Sequence, residues 1–185
     1  MTLYVIEAFF DPATDAAIRT VWRALGERGI ASPGDDPVAR PHLTLGVYGA
    51  LDPVNAAAPL AALAAGPVIP LTFASLGLFP PSVRETVVFA APIVTAELLA
   101  LHLRVRSLLA ECASDPAPYF APDQFVPHCT LTQDCPPTRI AEVLDICQGL
   151  PLPLTGQIAA VGLVATDPLR ELWYCPQRAG AHADG

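Results

Sequence analysis

Two short stretches carry the residue types best suited to chemistry. PHLTL (41–45) and PHCTL (127–131) agree at four of five positions and use two of the chain's four histidines. In an extended strand, residues i and i+2 point to the same face. His42 and Thr44 therefore share one face while Leu43 and Leu45 take the other, and His128 and Thr130 stand in the same relation to Cys129 and Leu131. Each stretch buries its apolar partners and presents an imidazole beside a hydroxyl. Two imidazoles that titrate near about 6.5 are the simplest kit for proton transfer at neutral pH: one takes a proton as the other gives one. Two Thr hydroxyls beside them can hold the non-bridging oxygens of a phosphodiester as negative charge builds. That set cleaves a phosphodiester in line without a metal. Zinc is a poor alternative, since two His without a well-placed carboxylate or Cys leave too few ligands and Cys129 points away.

Each motif needs a strand to carry it, and the surrounding pattern supplies one. LYVIEAFF (3–10) reads as a strand, followed by Asp11-Pro12 as helix cap and first turn, with Ile18, Val21, Trp22 and Leu25 at helical spacing. HLTLGVY (42–48) is the second strand; Asp52-Pro53 opens an Ala/Leu helix that Pro59 should delay or kink, and VIPLTFASL (68–76) is the third strand. The second half repeats the order: strand 85–91, a helix capped by Thr95 with a stripe at Leu98, Leu101, Val105, Leu108 and Cys112, strand 125–132, a helix from Pro137 to Gly149, then strands 154–164 and 171–176. Pro41 and Pro127 suit strand starts, where no ladder N–H is missed. The motifs lie 86 residues apart (128 − 42), and the same offset superposes the helices and third strands within a few residues. The pattern predicts an α+β chain: a duplicated, βαβ-rich bilobal fold with pseudo-twofold symmetry and a central cleft that gathers both motifs. Residues 1–176 form a single bilobal domain with lobe-forming halves at about 1–80 and 84–176, PPSVR (80–84) as the turn between them, and 177–185 as a disordered tail.

Composition narrows the partners. At 185 residues, 52% hydrophobic and 15% charged, the chain is long enough for one sizeable core and too apolar for disorder. The apolar content is broken by 21 prolines, and no run approaches the roughly 20 residues of a membrane span. Met1–Pro12 lacks a basic residue ahead of its apolar stretch, which argues against a signal peptide. Five cysteines without a CxxC spacing suit reduced thiols in a cytoplasm. The net charge is −8, with ten scattered arginines and no lysine. A protein that tracks a long nucleic acid presents a basic surface, so a small phosphate-bearing ligand suits this chain better than a long duplex.

Paired His-x-Thr-Leu motifs in a duplicated α+β chain resemble the 2H phosphoesterase superfamily, in particular its bacterial and archaeal "2′-5′ RNA ligase" or RNA 2′,3′-cyclic phosphodiesterase branch. The resemblance spans residues 3–176, including Phe79-Pro80 before the strand at 85–91. It implies His42, Thr44, His128 and Thr130 as the catalytic set and hydrolysis of 2′,3′-cyclic phosphates of nucleotides or RNA ends, leaving a 2′-phosphate. It implies no cofactor and no metal, a monomer, and a small cyclic nucleotide or RNA end as partner. The ligase-like branch often places an arginine shortly after its second motif, whereas this chain reads HCTLTQD, with Gln133 and Asp134. A nucleotide- or RNA-end-binding module without turnover, or a 2′-5′ oligonucleotide phosphodiesterase or ligase, is the alternative. Matched proton-transfer groups in both halves favour the enzyme.

Other residues carry weaker expectations. Phe10, Tyr48, Phe79, Trp173 and Tyr174 could stack on a base or fill the core. Arg84 and Arg139 could flank the cleft or solubilise the surface. His102, within a helix, and His182, in the tail, are expected to face solvent.

Overall fold

The structure, a computed structural model, describes residues 2–80 and 86–177. The first half runs β1 (Tyr4–Phe10), α1 (Pro12–Gly26), β2 (His42–Tyr48), α2 (Pro53–Ala64) and β3 (Ile69–Phe79). The second repeats the order as β4 (Thr86–Pro92), α3 (Ala96–Leu109), β5 (Cys129–Cys135), α4 (Ile140–Cys147) and β6 (Leu154–Thr166), then adds β7 (Leu169–Pro176). Local chemistry accounts for the helix starts. Asp11 accepts from the Ala13 and Thr14 amides, Asp52 from Val54 and Asn55, and Thr95 from Leu98. The predicted stripe of α1 is the buried one, namely Ile18, Val21, Trp22 and Leu25. In α3, Leu98, Leu101 and Val105 are buried together with Leu109.

All ladders are antiparallel and join in the order β2-β1-β6-β3-β4-β5, with β7 added to β6. Exchanging β1 with β4, β2 with β5 and β3 with β6 reads this order backwards, so the pseudo-twofold passes between β6 and β3. That exchange makes the sequence halves differ from the lobes in space. β3, from the first half, ladders with β4, and β6, from the second, ladders with β1. The helices follow suit, α1 packing on α4 and β5, and α3 packing on α2 and β2. Neither half can bury its own faces without the other. One apolar core, from Ile6 and Ile18 to Val161 and Leu163, draws on both halves. Although β2 and β5 end the strand order at opposite edges, they come into contact, because the sheet curls. Both motif strands therefore border one concave region.

Several boundaries differ from the sequence pattern. β3 runs on to Phe79, and α2 continues through Pro59. β5 begins at Cys129 and not at 125, because Pro127 has no N–H to give and the Val126 carbonyl is taken by a side chain. His128 thus stands just ahead of its strand. His102 is 1% exposed, contrary to the expectation of a solvent-facing residue. Its ring stacks on Phe125 at 3.8 Å, and its Nδ1–H donates to the Leu45 carbonyl at 3.0 Å. The helical stripe hid it because His was not counted among the apolar residues. Of the predicted turn, residues 81–84 lie outside the described residues, as do Arg84, His182 and tail residues 178–185. No described helix is long and apolar enough to cross a membrane.

Candidate active site

Both motif histidines are oriented by the same local device. His42 Nδ1 lies 2.7 Å from the Arg40 carbonyl, and His128 Nδ1 lies 2.8 Å from the Val126 carbonyl. A carbonyl only accepts, so Nδ1 carries the proton in each ring and Nε2 is left as the exchanging nitrogen. In each case the acceptor sits two residues upstream, across Pro41 or Pro127. The duplicated Pro-His dipeptide therefore does more than start a strand. It leaves an upstream carbonyl outside the ladder and available to fix the tautomer.

A second shared device lies just beyond each Thr. In the β1–β2 ladder, Glu7 pairs with Thr44 and Ile6 with Gly46, so Leu45 is an unpaired bulge residue. In the β4–β5 ladder, Phe89 pairs with Thr130 and Val88 with Thr132, which leaves Leu131 unpaired. A bulge adds local twist and re-aims the side chains next to it, which is why bulges recur beside functional sites. Leu45 and Leu131 are themselves fully buried and pin each bulge to the core. The packed helices hold both bulged segments. His102 of α3 binds the Leu45 carbonyl, while Trp22 of α1 donates from Nε1 to the Thr130 carbonyl at 3.1 Å.

The cleft is divided. A cavity of about 500 Å³ is lined by His42 and Thr130 together with Glu7, Phe9, Arg40 and Glu171. His128 lines a neighbouring apolar cavity of about 280 Å³ with Phe79, Tyr119, Phe120, Gln124 and Val126. Thr44 is half-buried, directly across from Glu7, and is not among the lining residues of either cavity. The two imidazoles nevertheless interact. Burial lowers the pKa of His128, opposed by its Val126 hydrogen bond, and the His42 charge lowers it further. Cys129 is buried in the core, its thiol pushed up to about 12 by burial. All five cysteines are unpaired. Among the described residues no three His, Cys, Asp or Glu side chains gather as a metal site requires.

The remaining candidates separate clearly. Phe10 and Tyr48 are core residues, and Trp173 packs against the core from its edge. Phe79 meets the His128 ring edge-on at 4.8 Å, and Tyr174 lies 5.7 Å from Phe9 beneath the Arg40 guanidinium. Arg139 is not a cleft residue. It binds Glu142 and the carbonyls of Arg28 and Gly29, fastening α4 to the end of α1. Sequence reasoning missed Glu7 and Arg40. Glu7 is only 7% exposed, and its Oε1 lies 3.6 Å from His42 Nε2. Burial raises the pKa of Glu7; His42 and Arg40 oppose that rise, and Glu171 adds to it. A lone carboxylate inside the apolar run LYVIEAFF was the available signal. Arg40 reaches Glu171 at 3.5 Å and lies over the rings of Phe9 and Tyr174.

Known structures share this arrangement of elements. TT0787 of Thermus thermophilus is 19% identical, with a TM-score of 0.65 over 98% of this chain and 100% of that one. Apo LigT of E. coli is 21% identical, with a TM-score of 0.59 over 96% and 95% of the two chains. Usb1 of Kluyveromyces marxianus is 6% identical, with a TM-score of 0.52 over 95% and 97%. At these identities the likeness is one of fold. No curated protein matches the chain significantly. The model of the 2'-5' RNA ligase superfamily, by contrast, matches residues 10–169, from the end of β1 to the start of β7, and so takes in both motifs and the exchanged strands. The chain belongs to that superfamily, within the 2H phosphoesterases.

Proposed function

We propose that the protein is a metal-independent phosphodiesterase that hydrolyses 2′,3′-cyclic phosphates of nucleotides or RNA ends. The observation that carries this reading is the matched anchoring of two imidazoles through Nδ1, which leaves Nε2 of each ring as the nitrogen that can exchange a proton. One Nε2 takes a proton from water as the water oxygen bonds to phosphorus. The other gives a proton to the ribose oxygen as its bond to phosphorus breaks. Thr44 and Thr130 donate their hydroxyls to the non-bridging oxygens, whose charge grows in the transition state. By the family resemblance the 3′ oxygen leaves, giving a 2′-phosphomonoester.

The cleft suits a small ligand. The larger cavity falls within the roughly 300–1,000 Å³ usual for such sites, and aromatic rings border both cavities. E. coli LigT has been crystallised with 3'-AMP, ATP and NADP+, which supports a nucleotide-sized occupant here. The test is an EDTA-treated assay on cyclic nucleotides and on 2′-5′ and 3′-5′ linkages, read by ³¹P NMR. Conversion of the cyclic substrates to 2′-phosphates, unaffected by chelator, is expected. Loss of activity in EDTA with recovery in zinc contradicts the mechanism. A 3′-phosphate product reverses the regiochemistry alone, and binding without turnover converts the reading to that of a binding module.

A further inference from the structure

The pseudo-twofold is broken at one functional position. Reading across three strands, Gly162 of β6, Glu7 of β1 and Thr44 of β2 form a row of paired residues. The corresponding row in the other lobe is Gly77 of β3, Phe89 of β4 and Thr130 of β5. Both rows end at the same bulge, and both begin at a glycine whose missing side chain admits a Phe ring, Phe9 over Gly162 and Phe89 over Gly77. Glu7 and Phe89 are therefore counterparts. One motif histidine has a buried carboxylate 3.6 Å from its Nε2, and the other has the Phe89 ring at 5.3 Å and the Phe79 ring at 4.8 Å.

We propose that Glu7 is a positioning residue that assigns the two proton-transfer roles, making His42 the acid and His128 the base. The assignment rests on the phosphodiesterase reading above. A carboxylate within about 4 Å stabilises an imidazolium, whereas an aromatic, desolvated surrounding favours the neutral ring. The direction at His128 agrees, since burial lowers its pKa. The carboxylate then favours the productive state, with His128 neutral and His42 protonated, over the state with the two protons reversed. In the reaction, His128 Nε2 accepts the proton of the attacking water. His42 Nε2 delivers its own to the leaving ribose oxygen, and proton exchange with solvent restores the pair.

Other charged groups face this corner. Arg40 lines the same cavity as His42, lies over Phe9 and Tyr174 and pairs with Glu171 of β7. Asp35 and Asp36 line that cavity from the loop after α1, and His128, just ahead of β5, feels the His42 charge. Arg40 and Glu171 oppose each other in sign, at His42 as at Glu7, and Glu7 is the carboxylate placed 3.6 Å from Nε2. Glu7 does not hydrogen-bond to Nε2 at this separation, so the nitrogen stays open to substrate.

Two measurements test the assignment. The first needs no substrate: NMR titration of the imidazole Cε1–H signals in the unaltered protein, assigned with the single-His variants. His42 is expected to hold its proton to higher pH than His128, and the reverse order overturns the proposal. The second compares pH–rate profiles of the wild-type protein and Glu7→Gln. Loss of the negative charge should move the alkaline limb to lower pH by about one unit, and Glu7→Asp should restore part of that shift. A uniform drop in rate with both limbs in place would mark Glu7 as merely structural. If no variant has turnover at all, the phosphodiesterase reading fails, while the titration still decides the order of proton loss.

Discussion

Thr44 and Thr130 occupy equivalent places beyond their histidines, yet they meet different surroundings. Thr130 lines the cavity that holds His42, while Thr44 sits across from Glu7. Valine keeps the β-branched shape of each and deletes the hydroxyl. Thr44→Val and Thr130→Val should each lower kcat by about 10–10³, by analogy with losing an oxyanion donor, and the loss should be larger for Thr130. A rise in KM with kcat unchanged would make them ground-state binders and require a different stabiliser of the transition state. At this scale the sequence disclosed the two motif histidines and hid the charged groups beside them. His42 and His128 stood out because an unusual pentapeptide occurs twice. Glu7 and Arg40 have no second copy, and Glu7 meets His42 and Arg40 meets Glu171 only when β1, β2 and β7 join the same sheet.

Among the elements, α3 shows how a motif can be supported from behind. His102 is buried against Phe125 and donates to the carbonyl of Leu45, the bulge residue of the first motif. Burial lowers its pKa, and the Arg106 charge acts in the same direction, while hydrogen bonds to backbone carbonyls oppose them. The folded protein therefore takes up this proton less readily than the unfolded chain. Stability should fall as pH drops below about 6.5, where an unfolded histidine begins to charge. His128 contributes with the same sign, and Glu7, whose pKa is raised, contributes with the opposite one. Urea midpoints between pH 7.5 and 5 should decline less in His102→Asn than in the wild-type protein. Equal slopes would show that His102 accepts a proton in place. The strands and helices themselves were legible from periodicity and caps. The exchange of β3 and β6 between lobes was not, because strand order along the chain does not state which ladder a third strand joins.

The whole molecule bears a net charge of −8, and the proposed substrate is itself an anion. Long-range attraction for a polyanion is therefore weak, and affinity must come from the cleft itself. Short cyclic nucleotides should be processed at least as well as long RNA, with kcat/KM changing little between about 50 and 200 mM salt. A steep salt dependence would imply phosphate contacts outside the cleft. The duplication sets the overall design, since curling one sheet about a pseudo-twofold brings the two motif strands, at opposite ends of the strand order, into contact. The most direct test is the single-turnover rate on a 2′,3′-cyclic nucleotide for the wild-type protein, His42→Ala, His128→Ala and the double variant, each confirmed as folded. The account predicts that each single variant is slower by at least about 10², and that the double is little worse than either, because the pair acts as one unit. Near-wild-type turnover by either folded single variant would contradict it.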